Sequence, residues 1–201
     1  MVSLEPFNSP VKVRLLPRPY HIRAAARDQF SFNGRTITHH PRVLSASTMR
    51  PTTVQEKQER FFAASHFAVI GVSHDRSRPA SKVLGWYRDQ NMDVIPVHPR
   101  EKRLDGLHAI PSISKLPSPS TTALTISTAP YVTLSLLKQA HALSISSIWI
   151  QPGAADKHVV DYIQANNLSE RVIWGGPCIL QEGDHIIQRR WFDETYEGQS
   201  F

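Results

Sequence analysis

Apolar positions along this chain fall into short runs between residues 62 and 174, and the runs alternate in period. Residues 67–70 (Phe-Ala-Val-Ile) are a continuous apolar block with a β-branched end, the pattern of a strand covered on both faces. Residues 80–90 place Val83, Leu84 and Tyr87 on one helical face. Residues 93–97 predict a second strand, with Pro96 limiting its pairing. Residues 107–117 lack a period and predict an irregular connection with room for a short turn. Residues 123–126 predict a third strand, 131–143 a helix, 146–150 a fourth strand, 154–166 a helix and 171–174 a short fifth strand. Thr52 or Thr53 is positioned to cap a short helix ending at Phe62. One further strand is expected over residues 185–188, followed by a loosely packed polar tail from 191 to 201.

Strand, turn and helix repeating at this spacing predict parallel βαβ units with right-handed crossovers. The expected fold class is α/β, a Rossmann-like three-layer sandwich with a five-stranded, mainly parallel sheet, spanning residues 51–190. The turns after the strands then collect at one sheet edge, where such folds bind ligands. This lines up Gly71-Val-Ser73, His98-Pro99-Arg100, Ser127-Thr128-Ala-Pro130 and Gln151-Pro-Gly153 along one crevice.

The first fifty residues have a different character. Prolines at 6, 10, 17, 19 and 41 interrupt any long helix. The stretch is rich in Arg, Ser and Thr, the composition of an organellar targeting segment, with residues 21–30 as a short amphipathic candidate. A mitochondrial destination is the expectation. The alternatives are a disordered tail, or a cytoplasmic protein starting at Met49. The charge follows the same division. Eight of the 23 Lys/Arg but only two of the 17 Asp/Glu lie in residues 1–50, so 51–201 hold fifteen of each. The net +6 therefore belongs to the N-terminal segment, which argues against a general nucleic-acid role for the rest. No apolar run approaches the ~18 residues of a membrane span. The single cysteine, Cys178, excludes an internal disulfide and fits a reducing compartment.

The loop after the first strand carries the chemistry. Gly71 permits a sharp turn and a close backbone approach. Pro79 suits the first turn of a helix, whose free N–H groups attract phosphate. Arg76 and Arg78 add full positive charges to this loop. The turn is not Gly-x-Gly-x-x-Gly, and no Gly-Lys-Ser/Thr triplet exists, which disfavours NAD and nucleoside triphosphates. The second strand ends in His98-Pro99-Arg100-Glu-Lys102-Arg, where an NAD site carries an acid. A basic tip accepts a phosphorylated ribose, as in NADP or coenzyme A, although a solvated charge cluster is the commoner meaning of such a run. No metal-ligand spacing appears, and His74 beside Ser73 has no third partner for nucleophilic catalysis.

In Val69-Ile-Gly-Val-Ser73 with Arg78-Pro79, Val94-Ile-Pro-Val-His-Pro99, Gly106 through Leu116-Pro117, Ile148-Trp-Ile-Gln-Pro-Gly153, and Pro177 with Cys178, the chain resembles the CoA-binding domain family. These are small Rossmann-like proteins related to the nucleotide domain of the succinyl-CoA synthetase α subunit. The resemblance spans residues 62–181. It implies coenzyme A as ligand, with Gly71, Val72 and Ser73 at the pyrophosphate and Arg100 or Lys102 at the ribose 3′-phosphate. Ser127, Thr128 and Pro130 would flank the adenosine or the pantetheine arm, with Gln151 and Gly153 further along. The family often shows Asn where His98 stands, and a different order of residues around Cys178. Cys178 is read either as a buried small hydrophobe or as a thiol within reach of CoA. The synthetase's phosphohistidine domain has no counterpart here, so ligase activity is not expected. The functional expectation is a non-catalytic CoA or acyl-CoA binding protein. The alternatives are an NADP-dependent oxidoreductase using the same crevice, or a scaffold that binds neither.

Overall fold

The structure is a computed structural model, and it describes residues 52–197. Residues 1–50, where a targeting segment with an amphipathic piece at 21–30 is expected, and the last four residues of the polar tail lie outside the described residues.

Five parallel strands form the main sheet: β1 (His66–Ile70), β2 (Val94–Val97), β5 (Thr122–Ile126), β6 (Ser147–Ile150) and β7 (Val172–Ile173). Their order is β2-β1-β5-β6-β7. The chain leaves β1 toward one edge and returns at β5 toward the other, so the order reverses between β1 and β5. Pro96 is tolerated because β2 is an edge strand. Its carbonyl still accepts from Ile110 N–H at 3.1 Å.

Side chains alternate across the sheet and meet two helical layers. Phe67, Val69, Ala123 and Trp149 face α1 (Val54–Phe62), α2 (Pro79–Asp89) and α5 (Ile179–Glu197). Ala68, Ile70, Leu124, Ile126, Ile148 and Ile150 face α3 (Pro130–Ala142) and α4 (Lys157–Ala165). The first layer is aromatic. Phe61 meets Trp149 edge-on at 5.3 Å, Phe62 lies 5.9 Å from Trp86, and Phe67 lies 5.0 Å from Tyr87. Within it the Tyr87 hydroxyl and Thr125 Oγ1 share a buried hydrogen bond of 2.8 Å. Burial pushes the Tyr87 phenol well above its ordinary pKa, so it stays neutral.

Local chemistry explains the boundaries. Thr53, rather than Thr52, caps α1 through a reciprocal pair: its Oγ1 accepts from Glu56 N–H, and the Glu56 carboxylate accepts from Thr53 N–H at 2.8 Å. Pro79 and Pro130 open α2 and α3 at their first turns. α4 starts at Lys157, not at the expected residue 154, because the Asp156 side chain caps it by accepting from Val159 N–H at 3.0 Å.

Two expectations are corrected. Residues 107–117 are not simply irregular. Leu107–His108 (β4) pairs antiparallel with Arg103–Leu104 (β3) around Asp105-Gly106, both with positive φ, the conformation of a tight hairpin turn. The short turn expected in this stretch is the 3₁₀ turn Ile113–Lys115, and a second, Pro119–Thr121, precedes β5. The strand expected at residues 185–188 does not exist, since that stretch lies inside α5, which continues to Glu197 across the tail boundary at 191. Ile179 and Ile186, seven residues apart, bury on the same helical face, and Gly183 between them lies against the Trp86 ring.

Candidate functional site

The reversal of strand order between β1 and β5 leaves a crevice at the carboxyl ends of the strands, and Gly71 sits at its centre. Gly71 has φ +99°, and a Cβ there would lie 2.1 Å from the Ser127 carbonyl oxygen. Only a glycine lets the β1–α2 turn and the β5–α3 loop touch in this way. The turn is also tied to the helix that follows. Ser81 Oγ donates to the Ser73 carbonyl at 2.9 Å and accepts from Ser73 N–H at 3.3 Å.

Two clefts open on either side of this contact and share Gly71 and Thr128. The first, about 480 Å³, lies toward β2, and its walls are mainly apolar: Ile70, Val72, Val97, Pro99, Ile113, Val132 and Leu136, with Ser73 and His98 at the rim. The second, about 280 Å³, lies toward β6 and is formed by Arg78, Pro79, Ser127 and Gly153 with their neighbours. The α2 N-terminus opens onto it, since Arg78 is the capping residue and Pro79 the first helical one. Arg78 Nε lies 3.6 Å from Asp75, whose carboxyl is held below its usual pKa mainly by hydrogen bonds from the Ser77 hydroxyl and N–H.

The crevice thus gathers Gly71, Val72, Ser73, Arg78, Pro79, His98, Pro99, Ser127, Thr128 and Gly153 of the expected residues. The others are placed elsewhere. Arg76 turns away to pair with Asp105 of the hairpin. Arg100 and Lys102 are exposed and lie outside both clefts. Pro130 is half-buried at the start of α3, outside the two linings. Gln151 is buried, 4% exposed, and its side-chain oxygen accepts from Ile179 N–H at 3.2 Å. Its Nε2 has no hydrogen-bond partner among the described residues. Cys178 is half-buried, and its carbonyl accepts from Gln181 and Glu182 N–H at the start of α5.

The histidines near the crevice have structural partners. His98 Nδ1 accepts from Arg100 N–H at 3.2 Å and Glu101 N–H at 2.9 Å, which places its proton on Nε2. An Asn side-chain oxygen can make the same bonds, so His98 keeps the turn geometry although the residue type differs. His74 Nε2 lies 3.1 Å from Glu101, and this hydrogen bond is the main cause of the lowered Glu101 pKa.

Sequence reasoning missed the wall supplied by Pro111, Ser112 and Ile113 and by Val132, Leu136 and Gln139 of α3. The available signal was Asp105-Gly106, a hairpin dipeptide that turns the chain back along β2. Val97 then bridges Ile110, and His98 N–H donates to the Ile110 carbonyl at 2.9 Å, which seats residues 111–113 over the cleft.

A family model described as CoA binding domain matches residues 65–184, more than half of the chain. The protein belongs to the CoA-binding domain family. Solved structures agree on the fold. A conserved hypothetical protein from Pyrococcus furiosus is 23% identical, with a TM-score of 0.53 over 58% of this chain and 97% of its own. A hypothetical protein from Pyrococcus horikoshii is 20% identical, with a TM-score of 0.58 over 69% and 96%. A Thermus thermophilus protein is 26% identical, with a TM-score of 0.57 over 67% and 99%. No curated protein matches the chain. The matched span of the CoA-binding domain starts after α1 and ends within α5.

Proposed function

We propose that the protein binds coenzyme A or an acyl-CoA and acts as a carrier or sensor, without catalysing a reaction of its own. The observation that carries this reading is the pair of unlike clefts meeting at Gly71. The apolar cleft suits the adenosine. The α2 N-terminus and Arg78 beside Gly71 suit the pyrophosphate. The smaller cleft between Ser127 and Gly153 gives the pantetheine arm a path toward β6. Both nearby histidines hold loop structure, which supports a binding role over acid–base chemistry.

The test is thermal unfolding of the full chain with CoA, dephospho-CoA, NADP and NAD in parallel. Ligand at 100 times its dissociation constant adds about 2.7 kcal/mol of stability, a readable rise in midpoint. The expected result is a rise with CoA. No shift with CoA at millimolar concentration overturns the reading, and a shift with NADP alone replaces it by an NADP-dependent oxidoreductase.

A further inference from the structure

Beside the crevice runs a groove of about 740 Å³ between α2 and the β3–β4 hairpin, and the two share Ser73. Its walls carry Arg76, Lys82, Arg88 and Arg103 against two carboxylates, Asp89 and Asp105. Asp105 is already taken: Arg76 and Arg88 clasp its carboxylate from two sides, and Arg88 also donates to its carbonyl at 2.9 Å. Asp89 lies seven residues beyond Lys82 on α2, about 10 Å along the helix and away from the crevice. Lys82 and Arg103 are both exposed. Lys82 has no ion pair among the described residues, and Arg103 donates only to the Gly106 carbonyl, at 2.9 Å. Lys82 and Arg103 are therefore groove cations that neither of its carboxylates pairs with.

We propose that this groove holds a subsite for a phosphate dianion, with Lys82 and Arg103 as its cations. The inference rests on the CoA reading for its first source. A ribose seated at the rim of the apolar cleft reaches the groove across Ser73, and CoA carries a phosphomonoester on that ribose. The second source is a separate phosphate-bearing ligand that occupies the groove beside the crevice. In either case the recognising cations come from α2 and the hairpin, not from the exposed tip at Arg100 and Lys102.

The experiment measures binding of CoA, dephospho-CoA and inorganic phosphate by titration calorimetry to the full chain. The proteins compared are the wild type, the double variant Lys82→Ala/Arg103→Ala, and the control Arg100→Ala/Lys102→Ala. All replaced side chains are exposed, and a urea midpoint checks folding. Loss of charge-assisted hydrogen bonds to phosphate weakens binding by about 10- to 100-fold. If CoA weakens that much in the first variant while dephospho-CoA binds unchanged, the 3′-phosphate is the occupant. If phosphate binds the wild type, is lost in the first variant and does not compete with CoA, the occupant is a separate ligand. If the first variant binds CoA and phosphate like the wild type, or if only the control loses CoA affinity, the proposal is overturned. If the wild type binds neither CoA nor dephospho-CoA, the CoA reading fails by itself. The phosphate arm then decides the groove: binding lost in the first variant supports it, and no binding to the wild type overturns it.

Discussion

Replacing Gly71 by alanine places a methyl carbon 2.1 Å from the Ser127 carbonyl oxygen and 3.2 Å from Thr128 Cγ2. Non-bonded heavy atoms settle near 3.5 Å, so the new carbon sits about 1.4 Å too deep, against backbone that cannot rotate away. The same substitution forces a side chain into φ +99°, where left-handed backbone costs roughly 1–2 kcal/mol. Overpacking adds about 1–3 kcal/mol, so on the order of 3 kcal/mol of stability is lost in all. Gly153 supplies the control. It has φ +82° but nothing within 4 Å of its added Cβ, so Gly153→Ala meets only the left-handed cost. Any gain from stiffening the unfolded chain is common to both variants and cancels. With a urea m-value of about 2 kcal/mol/M, Gly71→Ala lowers the midpoint by about 1.5 M and Gly153→Ala by about 0.5–1 M. Equal midpoints for the two variants would show that the loop contact at the switch point contributes nothing beyond backbone conformation, and would refute the reasoning.

Two further substitutions test the packing. Tyr87→Phe leaves Thr125 Oγ1 buried without its partner and costs about 1–3 kcal/mol; adding Thr125→Val restores most of the loss, and urea midpoints that stay low in the double variant count against this account. Gly183→Ala gains about 1 kcal/mol of helix propensity, but its Cβ would lie 2.4 Å from the Trp86 ring. That ring is pinned by its 2.8 Å hydrogen bond to Asp184 Oδ1 and by its contacts with Phe62 and Tyr87, so the melting midpoint falls; a rise means the ring yields.

The sheet was legible because its signals are local. Apolar runs such as residues 67–70 and 148–150 and helix-opening prolines at 79 and 130 each declare an element from within a few residues. The α5 helix was not legible, because Gly183 weakens any helical reading of its stretch until Trp86, almost a hundred residues earlier, is seen to require the missing side chain. The crevice divides in the same way. Gly71 and Thr128 follow from strand ends and topology. The basic run at residues 100–103 suggested a phosphate contact from charge alone. The hairpin turns Arg103 toward the groove and leaves Arg100 and Lys102 outside both clefts, and only tertiary pairing fixes that direction.

The α1 helix has a practical bearing on how this domain is delimited. It precedes the span shared with the family, yet Phe61 is fully buried against Trp149 and Arg60 donates to the Glu170 carbonyl at 3.0 Å. A recombinant fragment trimmed to residues 65–184 would strip an aromatic lid from the middle of the sheet and expose Trp149 and Phe67 to solvent. Such a fragment invites aggregation through that bare face. The smallest transplantable unit therefore begins at the Thr53 cap and runs past Ile186, wider at both ends than the portion inherited in common.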